Sequence, residues 1–221
     1  MAQLLSEFAP IPGLPNMWCA RRGTLRCTVI KLKGGGVMLF SPVLGLTATG
    51  REQLDSLGEV KFLLAPNHYH NKAMAEYAQA FPEASIVASP DAQERLTRVT
   101  GLQFDDLSGL KRVLPQHVKL LAPPGLKTGE CWLRVKTKTD VAWIVVDAFY
   151  ARAKNPRALE VAIPEMLGTF PNMGIANKQT YRAWVQAQIT ADQPTIVVPC
   201  HGLLMRSANL PKRLASLMAK L

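Results

Sequence analysis

The sequence predicts an α/β fold, and three observations carry that prediction. Apolar runs of strand length alternate with stretches whose apolar residues recur at helical spacing, in the order strand, loop, helix, strand, helix. Two runs, residues 60–65 and 141–146, read as strands deep in a core. Three runs end on residues that carry chemistry: Pro66-Asn67-His68-Tyr69-His70, Asp147, and Cys200-His201-Gly202.

Residues 1–16, with Pro10, Pro12 and Pro15, read as an extended arm laid over the body. Residues 25–32 (LRCTVIKL) show partial strand alternation, Gly34-Gly35-Gly36 turn the chain, and residues 37–40 return as a second strand. The triple glycine lacks the Lys-Ser/Thr and helix start of a phosphate loop. Residues 49–57 spell a short helix, with Thr49 and Glu52 as a capping box and Gly58 as its stop. After the strand at 60–65, Met74, Tyr77, Ala78 and Phe81 mark a helix over 71–80. Residues 85–88 form a strand and 91–99 a helix with Arg95 and Arg98 toward water.

Pro115 breaks the run that starts at Val113, and a strand resumes at Val118. Pro123-Pro124-Gly125 makes a turn. Residues 131–136 (CWLRVK) alternate as an edge or half-exposed strand does, and 141–146 (VAWIVV) read as a central strand that delivers Asp147. Residues 149–177, with Arg152, Lys154, Pro156, Arg157, Pro164, Pro171 and Gly174, read as a long lid or binding loop with a short apolar helix within 161–167. Tyr181, Trp184, Val185 and Ile189 define one face of a helix over 179–189, and 195–198 is the last strand. Asn209 caps a final helix with Pro211 in its first turn and Leu210, Leu214, Leu217 and Leu221 as its inner stripe.

A chain of 221 residues with 48% hydrophobic content is long enough for one sizeable core, and we expect a single domain over residues 1–221. No apolar stretch approaches the ~18 residues of a membrane span, and the first residues lack the basic start of a signal peptide. Cys19, Cys27, Cys131 and Cys200 lie far apart without a CxxC pair, which points to reduced thiols and a cytoplasmic setting. The formal charge of +10 favours anionic partners. No run of five like charges occurs, which argues against a dedicated nucleic-acid tail; a small anionic molecule is the first partner expected, and nucleic acid stays open as a lesser alternative.

Only four histidines occur: His68, His70, His117 and His201. In an extended segment, residues two apart point to one side, so His68 and His70 would converge just past a strand end. The plain alternative is a pair of loop histidines at a helix start. A carboxylate after a fully apolar run must be exposed, paired or metal-bound, which makes Asp147 a site candidate as well as a turn cap.

These landmarks resemble the metallo-β-lactamase fold superfamily, and more closely a hydrolase-like branch with a strand followed by Pro-Asn and a His pair. His68-Tyr69-His70-Asn71-Lys72 is similar to the leading half of its His-x-His-x-Asp-His motif. Pro123-Pro124-Gly125-Leu126-Lys127-Thr128-Gly129 looks like its Thr-Pro-Gly-His-Thr-x-Gly turn, with Leu126 where a histidine would stand. Val146-Asp147 matches the acid after an apolar strand, and Cys200-His201-Gly202 the final His-Gly. The resemblance implies a four-layer αβ/βα sandwich, two mixed sheets face to face with helices outside.

It also implies a two-metal site, of which this chain keeps part. One metal retains His68, His70 and Asp147, and three protein ligands plus a water make an open zinc site. The second metal is left with Asn71, Lys72 and His201, and a lysine ammonium repels a cation. The candidate metal ligands are therefore His68, His70, Asp147 and His201. The candidate catalytic residues are Asp147, His201 and Lys72, with Lys72 clamping an anionic substrate. Two readings stay open. One is a mono-zinc hydrolase of an anionic ester, thioester or phosphodiester. The other is a metal-free fold in which the same residues form a polar cluster that binds a ligand without turning it over. Cys200 beside His201 raises a thiol nucleophile, against a buried cysteine that closes a strand.

Overall fold

The computed structural model of the chain describes residues 4–151 and 163–221. It divides into two compact units, residues 1–116 and 117–221, each built on one sheet. The first holds β1 (Ala9–Pro10), β2 (Met17–Arg22), β3 (Leu25–Lys31), β4 (Val37–Phe40), β5 (Val60–Ala65) and β6 (Ser85–Ala88), side by side in chain order. Pairing is antiparallel up to β4 and parallel from β4 through β6. The parallel step needs crossovers, which α1 (Ala48–Leu57) and α2 (Met74–Ala80) supply. Two more helices follow, α3 (Pro90–Thr100) and α4 (Ser108–Val113).

The runs without alternation are buried on both faces: every residue of β4 is buried, as are Leu63, Leu64 and Ala65 at the end of β5. Leu54 of α1, Met74 and Tyr77 of α2, and Ala92 and Leu96 of α3 pack with Val29, Leu39 and Leu63 in one core. The N-terminal arm lies on this unit as expected, with Leu5, Phe8, Ile11 and Leu14 buried. It also contributes β1.

The first unit corrects five details. The strand β2 was not legible, because MWCARR carries no alternation and almost no β-branched residues. The cap of α1 is Thr47, whose side chain accepts the Gly50 N–H at 3.0 Å, so Thr49 lies inside the helix. The helix α2 starts at Met74 rather than at residue 71, because residues 67–73 form turns. Arg95 is half-buried, with its guanidinium over the Tyr69 ring at 5.1 Å, while Arg98 is exposed as expected. The helix α4 was also unforeseen.

The second unit holds β7 (Val118–Leu121), β8 (Trp132–Lys136), β9 (Val141–Val145), β10 (Ile196–Pro199) and β11 (Met205–Arg206), with β9 central in the order β11-β10-β9-β8-β7. β9 and β10 are parallel and the other pairs antiparallel, so this sheet too is mixed. The strand β8 is interior rather than an edge, lying between β7 and β9, and its Arg134 pairs with the carboxylate of Asp192. Helices α5 (Phe170–Met173), α6 (Lys178–Asp192) and α7 (Leu210–Met218) complete the unit. Trp132 and Trp143 stack with centroids 5.5 Å apart, and Tyr181, Val185, Ile189, Leu210, Leu214 and Met218 pack around them.

Two expectations fall near residues 152–162, which lie outside the described residues together with Arg152, Lys154, Pro156 and Arg157. The short helix placed within 161–167 is absent from its described part, where Glu165 pairs as an antiparallel bridge with Tyr150. Of the loop over 149–177, the described flanks are tied down by that bridge, by α5 and by a Leu126–Ile175 bridge. Among the described residues no helix is long and apolar enough to cross a membrane.

Candidate functional site

In the first unit the candidate residues follow the end of β5. Pro66 ends the strand, and Asn67, fully buried, turns the chain: its Oδ1 accepts the N–H of Tyr69 at 2.8 Å and of His70 at 3.0 Å. This is an Asx turn. The Asn71 side chain donates to the His68 carbonyl at 2.8 Å and tightens the next turn. The segment is therefore not extended, and the alternation argument for His68 and His70 does not apply to it. The His68 ring packs edge-on against Tyr69, with centroids 4.3 Å apart. His70 instead places Nδ1 2.7 Å from the Ser41 hydroxyl. Lys72 is exposed in the same turn.

Ser41 meets His70 because β4 and β5 are parallel neighbours whose ends share one edge of the sheet. Its N–H donates to the Leu64 carbonyl at 3.0 Å, and its φ of 57° is left-handed, a region that L-residues other than glycine rarely adopt. Strain of this kind collects where a side chain must be aimed. Ser41 was missed in the sequence. Its signal is the same as Asp147's, a polar residue directly after an all-apolar strand.

In the second unit the parallel strands β9 and β10 bring their ends together, Pro199 opposite Val145. Asp147 and His201 follow those ends, and the Asp147 Oδ1 lies 2.9 Å from the His201 Nε2. Gly202 follows of necessity. Its φ is 81°, and a Cβ there would collide with the Ala151 carbonyl oxygen, which accepts the Leu203 N–H at 2.9 Å. A buried glutamate supports the pair. Leu133 of β8 stands opposite Ile144 of β9, and that register continued past the strands sets Glu130 beside Asp147. Glu130, 2% exposed, accepts the Asp147 N–H at 3.3 Å and the Trp132 indole N–H at 2.7 Å. It too was missed, although an acid before an apolar strand is the mirror image of one after it.

Leu126 packs against the apolar cluster of this unit and offers no ligand atom. His117 precedes β7 and its carbonyl accepts from Lys136, at the end of the sheet away from Glu130 and Asp147. Cys200 is buried, its N–H bonded to the Val145 carbonyl at 2.9 Å. A thiol shut away from solvent in this manner is the strand-closing kind.

The chain is similar throughout its length to solved structures of one fold. A metallo-β-lactamase from Pontibacter korlensis shares 14% identity at a TM-score of 0.62, over 97% of this chain and 99% of that one. A putative diflavin flavoprotein fragment from Nostoc sp. shares 14% at 0.66, over 100% and 98%. A metal-soaked flavodiiron core from Synechocystis sp. shares 13% at 0.65, over 99% of this chain and 62% of that one. No protein-family model and no curated protein sequence matches. At these identities the likeness establishes the fold: that of the metallo-β-lactamases, an α/β architecture with two mixed sheets, as expected from the sequence.

Proposed function

We propose that this chain is a hydrolase that works with one divalent metal ion, with His70, Asp147 and His201 as its candidate ligands, and that it acts on an anionic ester, thioester or phosphodiester. The observation that carries the reading is the Asp147–His201 pair, a carboxylate nine-tenths buried with an imidazole nitrogen 2.9 Å away. A buried carboxylate needs compensating positive charge. Two imidazole nitrogens and a carboxylate oxygen are the donors of an open zinc site, and zinc is the ion we infer. His70 has the kind of partner that orients a ligand imidazole, the Ser41 hydroxyl 2.7 Å from its Nδ1. The whole-chain likeness to metallo-β-lactamases and a flavodiiron core supports the same reading.

When bound, such an ion polarises the substrate's oxygen and lets water act as hydroxide near neutral pH. The protein's own part is placement. Glu130 fixes the Asp147 backbone, and Asp147 orients the His201 ring. Lys72, exposed two residues past His70, binds the substrate's anionic group by charge. His68, in the same turn, is the further candidate ligand.

Elemental analysis of protein purified without chelator tests this. About one zinc per chain is expected for an open three-ligand site, and less than a tenth of that in His70→Ala or His201→Ala with the circular dichroism unchanged. Wild-type protein that neither carries zinc nor takes it up at micromolar concentration defeats the proposal. One observation favours a metal-free binding protein instead: at 2.9 Å Asp147 and His201 satisfy each other by a direct hydrogen bond. In that case anionic ester analogues bind wild type equally well with and without chelator.

A further inference from the structure

We propose a second anion site, separate from these residues, in a groove along α7 that takes a small organic polyanion with two or more phosphate or carboxylate groups and a short apolar part. The helix buries Leu210, Leu214 and Met218 in the core of its unit. Lys212, Arg213 and Leu217 on the rest of its surface, with Lys220 just past its end, line a groove of about 420 Å³ together with Ile163 and Pro164. That volume is within the ~300–1,000 Å³ typical of small-ligand sites.

Among the described residues the lining holds three cations and no acid, and neither Lys212 nor Lys220 has an ion-pair partner. Lys212 lies in α7 and Lys220 two residues past its end, and both line the groove. An anion with more than one charge gains from Lys212 and Lys220 together. Ile163 is 47% exposed and, with Leu217, gives the groove an apolar wall that a bare inorganic ion would not use. The described lining has no aromatic side chain and so offers no stacking platform of the kind that single-stranded nucleic acid requires.

Calorimetric titration with pyrophosphate and with a monoalkyl pyrophosphate tests the site. The variant Lys212→Gln/Arg213→Gln/Lys220→Gln should bind both at least tenfold more weakly and lose the preference for the alkyl ester. The charge-matched control Lys136→Gln/Lys138→Gln/Lys178→Gln, altered at exposed lysines elsewhere, should change by less than twofold. His201→Ala should bind as wild type does, which separates this site from the proposed metal centre. If the triple variant does not fold, Lys220→Gln alone, beyond the helix end, should weaken binding about threefold. Equal losses in the two triple variants, or unchanged binding in the first, overturn the proposal. Binding to phosphatidylglycerol vesicles tighter than to either soluble probe, lost in the same triple variant, keeps the anion chemistry and assigns its source to a lipid headgroup.

Discussion

Ser41 and Glu130 aim the candidate ligands. The Ser41 hydroxyl fixes the His70 ring, and the residue holds a left-handed φ of 57° to reach it. Replacing it by glycine removes a conformational cost of about 1 kcal/mol together with the hydroxyl. Ser41→Gly should therefore melt no lower than wild type while its zinc affinity falls about tenfold, the usual effect of losing a partner behind a ligand. Zinc affinity equal to wild type would reduce Ser41 to a turn residue. Glu130 accepts from the Asp147 N–H and the Trp132 indole. Glu130→Ala strands both donors in a dry interior and should cost about 2–4 kcal/mol in urea unfolding. Glu130→Gln, which keeps one oxygen acceptor, should cost clearly less, and equal costs would refute the hydrogen-bond account.

At the scale of elements, the helix α6 is fixed to its sheet by one carboxylate. Asp192, with 1% of its side chain exposed, accepts from the Arg134 guanidinium and from the Trp143 indole N–H, each at 3.0 Å. That joins the last turn of α6 to β8 and β9. Asp192→Ala leaves a guanidinium 17% exposed without its counter-ion, a change that costs about 3–5 kcal/mol when such a pair is buried. We expect the low end, about 3 kcal/mol, because Arg134 keeps some water. A loss below about 1 kcal/mol in denaturant melts would place the pair with surface ion pairs. The Pro-Pro-Gly turn is constrained by packing as well: a Cβ on Gly125, whose φ is 77°, would stand 2.7 Å from the Asn177 carbonyl oxygen at the start of α6.

At the scale of the whole molecule, both units carry a buried phenol. Burial raises the pKa of Tyr77 in the first unit, with the charges of Cys27 and Glu76 adding to it. Burial, then the charge of Glu130, raises that of Tyr181 in the second. Each folded pKa lies above the unfolded value of ~10. Their contribution is therefore complete below pH ~10 and is lost as pH rises beyond it. Base-induced unfolding followed by circular dichroism should begin near pH ~10, and the Phe variants should move it to higher pH. At neutral pH the two substitutions differ. Tyr77 donates to the Val43 carbonyl at 3.1 Å, so Tyr77→Phe should cost about 1 kcal/mol. The Tyr181 hydroxyl has no hydrogen-bond partner among the described residues, so Tyr181→Phe should be neutral or stabilising. A clear destabilisation there would reveal a partner.

Periodicity alone located β5 and β6 to the residue and most of β9, β10, α3 and α6, because apolar runs and helical stripes are local properties of a chain. It also marked His68, His70, Asp147 and His201 as candidates, since polar residues at the ends of apolar strands have few places to go. Long-range partners decided the rest. The strand β2 exists because β3 offers it a ladder, not because its residues favour a strand. Thr47 rather than Thr49 caps α1, since the loop entering that helix is held by Glu76 of α2, which accepts the N–H groups of Gly45 and Leu46. The turn that separates His68 from His70 is made by buried Asn67, and the partners Ser41 and Glu130 come from neighbouring strands. Which atoms stand beside a strand end depends on parallel or antiparallel pairing, a choice made between distant segments that no local spacing encodes.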